Sequence, residues 1–447
     1  MKIPVPPPDT DRLLEQVQGL GRLGVVLTQV VDQRSPAQPY YSWDRLRFKT
    51  PPGDLTHEEW WLGIRLARRA ARRPIDGLRN VDGRPFPYTV PDEVLAALDR
   101  IARDASGLIG ISEQVTNPST RDRYLVSSLI EEAITSSQLE GAATTRKVAK
   151  DMLRSGRNPR DRSERMIYNN FAAMQRITEL RDSAMTPDLV REIHRIVTED
   201  TLDDPRHAGA LQTHARDRIA VYDEFGELLH RPPPVAELPD RLQALCAVAN
   251  GDHPTHYVPP VLRAITVHFM VGYDHYFADG NGRTGRALFY WTMLRNGYWL
   301  TEFLSISRIL KKAPVQYGRS FLDTEQDEGD LTYFFVYQLG VIERAIRELH
   351  EYLDAKAAEL RDLGRALSDR PGEFNHRQVA LLKHSIKNPD TPFTALGHAR
   401  THGVSGETAR QDLMDLERRG LLARFKIGRQ FAWSPAADLS EQLLGEN

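Results

Sequence analysis

The twelve residues His275–Arg286, HYFADGNGRTGR, carry side chains that phosphate chemistry requires. His275 has an unperturbed pKa of about 6.5, which suits a general base at neutral pH. Asp279 supplies a hard oxygen suited to Mg²⁺. Gly280 and Gly282 permit close approach of the backbone, and a helix beginning there would point unpaired N–H groups at an anion. Together these groups predict a site for phosphoryl or nucleotidyl transfer.

Three further polar side chains in the same stretch suit an anion. Asn281 adds an amide donor between the two glycines. Arg283 and Arg286 lie three residues apart on the first turn of the expected helix, so both guanidinium groups can face one phosphate. The alternative is a tight turn between helices with solvated charges, but such a turn would not need every polar type that the chemistry needs.

The spacing Gly280-x-Gly282-x-x-Gly285 also occurs in dinucleotide-binding turns, which need a strand directly before the first glycine. The preceding segment does not comply, because its apolar residues recur every three or four positions over 259–275, which is a helix period. No Lys-Ser or Lys-Thr pair follows the glycines, as a P-loop requires. The stretch is therefore predicted to be a loop between two helices.

The stretch resembles the signature of the Fic family, H-x-F-x-[D/E]-G-N-G-R-x-x-R, at every specified position. The resemblance runs from about residue 117 to 352 and includes the segments LLHRPPP and DEGDLTYF. It implies a mainly helical domain that transfers AMP from ATP to a Ser, Thr or Tyr hydroxyl of a target protein, with self-modification as a further expectation. Position 276 is Tyr, where many relatives have Pro.

By this resemblance His275 would deprotonate the target hydroxyl, and Asp279 would hold Mg²⁺ on the α- and β-phosphates. Arg283 and Arg286 would stabilise the β- and γ-phosphates as pyrophosphate leaves. The ATP-binding residues that it implies are Gly280, Asn281, Gly282, Arg283, Thr284, Gly285 and Arg286. Because both loop glycines are present, AMP transfer is favoured over the kinase and phosphocholine chemistry of variant loops. Related nucleotides such as UTP stay open.

A second polar pattern lies on the predicted helix 118–140. Ser136 and Glu140 continue an apolar, inward-facing stripe that begins with Leu125, Leu129 and Ala133, and Gly141 would end the helix. A Glu in the last turn is disfavoured by the helix dipole and costly to bury unpaired, so it should have a cationic partner. From this stretch alone, a structural ion pair or a surface Glu is as good an interpretation as a functional role.

The segment SSQLEG, Ser136–Gly141, resembles the Fic inhibitory motif [S/T]-x-x-x-E-[G/N], placed before the core. By this resemblance Ser136, Glu140 and Gly141 would form an inhibitory element. Glu140 would pair with Arg286 and hold ATP in an unproductive position. In some relatives the same Glu supports removal of AMP, and the sequence leaves that second activity open.

Two apolar runs, 219–222 and 228–230, surround a Gly-containing turn and predict a small hairpin. The resemblance implies a flap that holds the target by strand pairing, with Val221 and Tyr222 near the target backbone. An ordinary surface hairpin is an equal alternative, because HAGALQTHARD replaces the usual Gly-Arg lead-in. Candidates for the nucleoside side of the pocket are Tyr317 and Asp327.

Helical periodicity and caps predict a mainly α protein. Predicted helices span about 92–106, 118–140, 144–154, 161–181, 186–200, 236–250, 259–275, 282–296 and 331–360. Thr56 and Glu59 predict a capping box that opens a further helix. The arginines near the end of that helix are predicted to face water: Arg65, Arg68, Arg69, Arg72 and Arg73.

The last segment, 371–447, predicts a winged helix-turn-helix, with a turn at Gly403, a helix opened by Ser405 and a wing turning at Gly428. The side chains expected to face a DNA groove or lie near the wing are Arg410, Gln411, Arg424, Lys426 and Arg429. The acids Asp412, Asp415 and Glu417 share the same helix and weaken its positive field. DNA binding and protein contact are therefore equal alternatives.

The chain has 447 residues, which is more than one core supports. We expect a helical extension over 1–116, a Fic domain over 117–360 with its inhibitory helix at about 118–141, and the winged helix over 371–447. The net charge of -2 excludes a global bias towards polyanions. The alternative for the whole protein is a DNA-binding regulator whose Fic core senses a nucleotide without transferring it.

The single cysteine, Cys246, excludes an internal disulfide and fits a reducing compartment. The first residues have acids and prolines where a signal peptide would have basic residues and an apolar run, and no later stretch is apolar for about 18 residues. We therefore expect a cytoplasmic protein with no membrane partner. The sequence leaves the oligomeric state open, with a homodimer among the options.

Overall fold

The structure is a computed structural model that describes most of the chain. The residues outside the description are 1–2, 32–38, 107–117, 215–217, 219, 223–225, 227, 253–254, 369–371, 388–391, 428–429, 437 and 445–447. The described part is mainly helical, and its strands form two-stranded antiparallel sheets. This confirms the predicted fold class. None of the described helices combines the length and the apolar character that a membrane span requires.

Contacts divide the chain into two compact units. The first comprises residues 1–109 and 125–347, and the second comprises residues 110–124 and 348–447. The division into 1–116, 117–360 and 371–447 stays a prediction.

Helices of the first unit are numbered in chain order. They are α1 (Thr10–Gly19), α2 (Leu23–Val26), α3 (Trp43–Leu46), α4 (His57–Ala71), α5 (Asp92–Ser106), α6 (Pro118–Leu139), α7 (Arg146–Ser155), α8 (Arg162–Glu179), α9 (Pro187–Thr198), α10 (Leu238–Asn250), α11 (Pro260–Asp274), α12 (Asn281–Arg295), α13 (Ile306–Lys312), α14 (Pro314–Gln326) and α15 (Thr332–Ser368). The first residues of α6 and the last of α15 belong to the second unit.

Helices α11 and α12 form the centre of the first unit. Nearly every side chain of both helices is buried, which is the pattern of a helix that is covered on all sides. Gly285 lets the two helices approach closely, since a Cβ there would lie 3.3 Å from Cβ of Val271. The loop 275–280 that joins them is therefore held at both ends by rigid, buried helices.

The capping box at the start of α4 is confirmed. The Thr56 hydroxyl accepts from the Glu59 amide at 3.1 Å, and the Glu59 carboxylate accepts from the Thr56 amide at 2.8 Å. After this helix the strands β1 (Arg73–Arg79) and β2 (Pro85–Tyr88) form a hairpin that the sequence interpretation missed.

The prediction that the α4 arginines face water is wrong for Arg65 and Arg68, which are buried. Arg65 pairs with the Asp327 carboxylate. Arg68 donates to the Tyr333 hydroxyl at 2.7 Å, and its guanidinium lies 3.5 Å from the centre of the Tyr40 ring. Asp327 and Tyr333 are more than two hundred residues away along the chain, so no local pattern reveals that these charges are compensated.

The predicted hairpin after residue 218 is present. Strand β3 (Val221–Tyr222) pairs antiparallel with β4 (Leu228–His230), and Val221 lies opposite His230. Residues 223–225 and 227 between the strands lie outside the described part.

The second unit contains three helices followed by a hairpin and a short helix. These elements are α16 (His376–Lys387), α17 (Ala395–His402), α18 (Gly406–Arg418), β5 (Leu422–Ile427), β6 (Gln430–Pro435) and α19 (Leu439–Leu444). Gly403 ends α17 with a φ of 65°, and the Ser405 hydroxyl caps α18. The order of elements follows the predicted arrangement, and the classification as a winged helix stays a prediction. Gly428 and Arg429 lie outside the described residues.

Candidate active site

The loop between α11 and α12 begins with an unusual backbone conformation at His275. This residue has a φ of 47° and ends α11, although it is not a glycine. Its Nδ1 lies 2.7 Å from the carbonyl oxygen of Gly272, which can only accept, so Nδ1 carries the proton. Burial lowers the pKa of the His275 imidazole. The ring is therefore neutral at neutral pH, and Nε2 keeps a free lone pair.

The next loop residues are held from behind by side-chain amides. Asn281 Oδ1 accepts from the Phe277 amide at 3.0 Å, and Asn281 Nδ2 donates to the Phe277 carbonyl at 2.7 Å. Gln212 Nε2 donates to the same carbonyl at 2.6 Å. Both polar atoms of the Asn281 side chain therefore bind the loop backbone in this structure, and its role as a donor to an anion stays a prediction.

His194, on α9, is a residue of this site that the sequence interpretation missed. Its Nδ1 accepts from the Gly209 amide at 2.9 Å, so its Nε2 carries the proton and donates to the Asp279 carbonyl at 2.8 Å. The ring also stacks on Phe277 with the centroids 3.7 Å apart. Burial lowers the pKa of His194 to about 4, so it stays neutral. Its only local signal was an inward position on an amphipathic helix.

Tyr276 occupies the position where the Fic signature often has Pro. It is fully buried, and its hydroxyl donates to Oδ2 of Asp274 at 2.7 Å. Burial raises the pKa of Asp274 to about 6, against the effect of Arg241, whose Nη1 lies 3.1 Å from Oδ1. Arg218 donates to the backbone carbonyls of Asp274 and His275. These bonds fix the end of α11 with the tyrosine in place.

The start of α12 forms the predicted anion cradle, and a carboxylate lies in it. Gly280 precedes the helix with a φ of 83°, and a Cβ there would lie 2.6 Å from Cγ2 of Thr198. At Gly282 a Cβ would overlap Oε1 of Glu140. The Glu140 carboxylate therefore occupies the space beside the first turn of α12, where unpaired amides and the helix dipole favour an anion.

Arg286 lies beneath that carboxylate and is 1% exposed. Its Nη2 donates to Glu140 Oε1 at 2.9 Å and to the Ser136 carbonyl at 3.0 Å, and its Nε donates to the Ser136 hydroxyl at 2.9 Å. Its Nη1 is buried with no hydrogen-bond partner among the described residues. Gly141 follows with a φ of 92°, which suits its predicted place at the helix end.

The end of α6 is fixed by a second buried carboxylate, Glu132, which the sequence interpretation missed. Its Oε2 accepts from the Ser305 hydroxyl at 2.9 Å and from the Ser307 amide at 3.1 Å. Burial raises the pKa of this carboxyl group. Since Glu132 lies one turn before Ser136, these bonds set the position from which Ser136 and Glu140 reach Arg286.

The remaining predicted ATP-binding residues of α12 point elsewhere. Arg283 is buried and donates from Nη1 to the Val197 carbonyl at 2.6 Å. The Thr284 hydroxyl is buried, and Gly285 packs against α11. Arg283 and Arg286 therefore have different partners in this structure, rather than one shared anion.

Asp279 lies at the edge of the site, and its side chain is 50% exposed. One carboxylate oxygen accepts from the Gly280 amide at 2.6 Å, and the other lies 3.8 Å from Nη2 of Arg162. Among the described residues, no group of three or more His, Cys, Asp or Glu side chains could hold a metal. One accessible carboxylate nevertheless fits Mg²⁺, which usually takes one or two protein carboxylates and completes its shell with phosphates and water.

The two candidates for the nucleoside side are placed differently. Tyr317 lies next to the site: its hydroxyl is 2.8 Å from Nε2 of His268, it interacts electrostatically with Arg286, and burial raises its pKa to about 12. Asp327 instead belongs to the buried pair with Arg65 and accepts from the Tyr333 hydroxyl at 2.7 Å. The structure does not bring Asp327 together with the other predicted site residues.

A cavity of about 330 Å³ opens in front of these groups. The residue that follows α6, the end of α11, the loop, the start of α12, the hairpin and α14 line it: Glu140, Val221, Leu229, His230, Gly272, Tyr273, His275, Ala278, Asp279, Gly280, Asn281, Gly282, Gly318, Phe321, Leu322 and Glu325. Val221 of the predicted flap therefore contacts the cavity, whereas Tyr222 is exposed.

Comparison with known proteins identifies a domain family that matches the region around the loop. Residues 184–293, which contain the loop, match the model of the Fic/DOC family, so the chain contains a Fic/DOC domain. A Fic family protein from Desulfovibrio desulfuricans is structurally similar, with a TM-score of 0.50 and 18% identity over 78% of this chain and 98% of that chain. Fic-1 from C. elegans matches with a TM-score of 0.48 and 19% identity, over 71% of this chain and 81% of that one.

Proposed function

We propose that this chain is a Mg²⁺-dependent protein adenylyltransferase, which transfers AMP from ATP to a hydroxyl group of a target protein. The Fic/DOC domain supports this, because members of the family often attach AMP to proteins. The observation that carries the proposal is the position of His275. Its free Nε2 and the start of α12 border the same cavity, so a general base and an anion cradle serve one ligand.

In the proposed step the target hydroxyl oxygen forms a bond to the α-phosphorus of ATP. The bond between the α-phosphorus and the oxygen that bridges to the β-phosphate breaks, and pyrophosphate leaves. The hydroxyl proton passes to Nε2 of His275, whose lowered pKa keeps the ring neutral and ready to accept it. The unpaired amides at the start of α12 and the guanidinium of Arg286 offset the negative charge of the phosphates.

Asp279 would hold Mg²⁺ at the edge of the cavity, and a bound Mg²⁺ would neutralise charge on the phosphates. Arg162, 3.8 Å from the same carboxylate, is 58% exposed and can move aside. Among the predicted ATP-binding residues, Gly280 and Gly282 line the cavity and would contact the phosphates, and Arg286 would pair with a phosphate in place of Glu140. Arg283 adds positive charge near them without lining the cavity.

Glu140 would keep this activity low. Its carboxylate occupies the anion position next to Gly282 and is paired with Arg286, the cation that a γ-phosphate would need. A triphosphate and a carboxylate compete for the same donors, so productive binding requires Glu140 to leave. Ser136 supports the inhibited state by binding the same guanidinium.

The hairpin formed by β3 and β4 would hold the target segment. Among the described strands β3 and β4 pair only with each other, so a further strand can be added at an outer edge. Val221 borders the cavity, and a segment paired there would bring its hydroxyl towards His275. Tyr222, exposed beside it, would contact the target.

The proposal is tested by incubating purified chain with Mg²⁺ and ATP labelled at the α-phosphate, with and without a cell lysate. The Glu140→Gly variant should label itself and lysate proteins, and the Glu140→Gly, His275→Ala double variant should label neither. ATP labelled at the γ-phosphate is the control, because AMP transfer leaves that label on pyrophosphate. Protein labelled from the γ-position, or an inert Glu140→Gly protein that still binds ATP, would overturn the proposal.

A second candidate function for the C-terminal unit is DNA binding. The observation that favours it is the pairing of three acids of α18 with arginines of the same unit. The sequence suggested that these acids weaken the helix field, but each is paired internally. Asp412 pairs with Arg377, Asp415 with Arg419 and Glu417 with Arg424. Arg410 and Gln411 on the same helix are exposed. These three acids are therefore compensated, one of them by Arg424 of the wing, and Arg410 is left exposed on a helix that also carries the exposed Glu407.

Binding of the full chain to labelled duplex DNA at several salt concentrations tests this candidate. The affinity should fall steeply as salt rises, and Arg410→Ala should weaken it. Binding of a partner protein by α18 instead, without any affinity for duplex DNA, would exclude the DNA alternative.

A further inference from the structure

The cavity extends beyond the phosphate cradle along one face of α14. Gly318, Phe321, Leu322 and Glu325 recur every three or four residues and all line it. Tyr317, at the start of this face, interacts with Arg286. Glu325 lies eight residues further along the helix, which corresponds to about 12 Å. The face therefore leads from the phosphate side of the site towards Glu325, over a length that suits a nucleoside.

The walls of this part of the cavity are mostly apolar. The residues that line it include Val221 and Leu229 of the hairpin, Phe321 and Leu322 of α14, and Tyr273 of α11. A slot of this kind accommodates a flat heterocycle, and the few polar groups in it decide which one fits. Two polar side chains are available there, His230 and Glu325.

These two side chains form a pair with a defined hydrogen-bond pattern. His230 Nε2 lies 2.7 Å from the Tyr273 carbonyl, which only accepts, so Nε2 carries a proton. His230 Nδ1 lies 2.7 Å from Oε2 of Glu325, and one proton is shared between those two atoms. Whichever atom holds that proton, the other carboxylate oxygen, Oε1, is an acceptor. Among the described residues no donor reaches Oε1, and the Glu325 side chain is 21% exposed.

We propose that Glu325 selects the base of the nucleotide, with Oε1 accepting a hydrogen bond from the 6-amino group of adenine. This inference rests on the proposed function and narrows the choice between ATP and UTP that the sequence leaves open. Uracil has a carbonyl in place of an amino group, so two acceptors would face each other. His230 is a positioning residue, because it fixes the carboxylate between β4 and the end of α11.

The experiment compares ATP with purine riboside triphosphate, which lacks only the 6-amino group, and with UTP. Dissociation constants are measured calorimetrically with Mg²⁺ on the full-length Glu140→Gly chain. ATP should bind about tenfold more tightly than the purine riboside analogue, as expected for one well-formed hydrogen bond. UTP should bind more weakly than ATP.

Variants of Glu325 in the same background attribute the preference to this residue. Glu325→Met, which removes the acceptor, should bring the ratio of ATP to analogue affinity close to one. Glu325→Gln keeps an oxygen and should restore part of the ratio. Asp323→Asn is the matched control, because Asp323 lies on the same helix but does not line the cavity; its ratio should not change.

Each outcome decides the inference. Equal affinity for ATP and the analogue in the Glu140→Gly chain would overturn it, even if a Glu325 variant fails to fold. A preference for ATP that persists in a folded Glu325→Met variant would also overturn it. If no nucleotide binds to Glu140→Gly, the proposed function falls and this inference with it. If ATP is bound and transferred without any preference for the amino group, only this inference falls.

Discussion

Arg286 donates from Nη2 to Oε1 of Glu140 over 2.9 Å, and the same oxygen fills the space into which a Cβ on Gly282 would project. One carboxylate thus satisfies a buried cation and occupies the anion position at the start of α12. A buried guanidinium without an anion is costly, so the site requires some anion at this place. The Glu140 carboxylate, just after α6, and a nucleotide phosphate are alternatives for this anion.

Removing the charge of Glu140 should therefore raise the affinity for ATP. We expect Glu140→Gln to bind ATP with Mg²⁺ at least about tenfold more tightly than the unmodified chain, because close charge pairs contribute about 1.5 kcal/mol or more. Glu131→Gln is the matched control: it removes a charge from α6, the helix that directly precedes Glu140, but Glu131 pairs with Arg146. Titration calorimetry measures both, and equal affinities would contradict the competition.

Replacing Ser136 should loosen the inhibited state without removing it. Ser136→Ala deletes the hydrogen bond to Nε of Arg286 and should lower the free energy of unfolding by about 1 kcal/mol. Ser137→Ala deletes an equivalent buried bond, from the Ser137 hydroxyl to the Met166 carbonyl. Denaturant unfolding should show similar losses for both, whereas only Ser136→Ala should raise ATP binding. A rise in both variants would indicate general loosening of α6.

A methyl group at Gly282 should exclude both the Glu140 carboxylate and a phosphate from the anion position. It should therefore remove the inhibitory contact without allowing ATP to bind. In Gly282→Ala the Cβ displaces the Glu140 carboxylate, so the melting temperature should fall. Because the same methyl group fills the place of a phosphate, adding Gly282→Ala to Glu140→Gly should abolish ATP binding. Gly340→Ala, at a helix position with no atom within 4 Å, should instead stabilise the chain by about 0.5–1 kcal/mol.

His194 should make stability depend on pH between about 4 and 6.5. Its folded pKa of about 4 lies below the ordinary value of 6.5, so the unfolded chain binds the additional proton in this window. The stability that neutral His194 contributes is then present above pH 6.5 and is lost as the pH falls towards 4, by at most about 1.4 kcal/mol per pH unit. Asp274, with its raised pKa, acts in the opposite direction.

A difference measurement isolates the histidine. The free energy of unfolding is measured at several pH values for the unmodified chain and for His194→Gln, which retains an amide able to bind the Asp279 carbonyl. The variant should be less stable at pH 7, and the difference should shrink as the pH falls to 4. A difference that is independent of pH would show that His194 titrates normally.

The buried pair of Arg65 and Asp327 should be important for stability. Arg65→Met leaves the Asp327 carboxylate buried without its closest cation, which should cost about 3–5 kcal/mol. Arg103→Met removes an arginine from an exposed pair with Asp99 and should change stability little. Chemical unfolding measures both. A small effect of Arg65→Met would mean that Arg72, which also lies near Asp327, compensates.

Local patterns were sufficient for the two helices that flank the loop, but α14, which also lines the cavity, was not predicted. The helix period over 259–275 and the glycines after it predicted α11, the loop and α12, and the observed helices are Pro260–Asp274 and Asn281–Arg295. These predictions succeed because helix caps and apolar periodicity are properties of neighbouring residues. The hairpin β1–β2 was missed, and α15 extends to Ser368 beyond its predicted end at 360.

The partners of the buried charged residues could not be predicted from the local sequence. Arg65 and Arg68 are locally indistinguishable from the exposed Arg69, and only their contacts with Asp327 and Tyr333 explain their burial. The same is true of His194 and Glu132, whose partners lie many residues away along the chain. Similarly, the sequence could not show that Asp412, Asp415 and Glu417 of α18 are paired with arginines.

By itself the sequence determined a mainly α protein with a helix-flanked Gly-Asn-Gly loop, a histidine before it and an arginine one turn into the following helix. Periodicity, caps and residue chemistry are local, so they need no folded chain. Only the tertiary structure decided that Asn281 binds the loop backbone, that Asp327 lies away from the cavity and that Glu140 occupies the anion position. Those outcomes depend on which distant groups meet in a buried space, where every charge and every polar atom needs a partner.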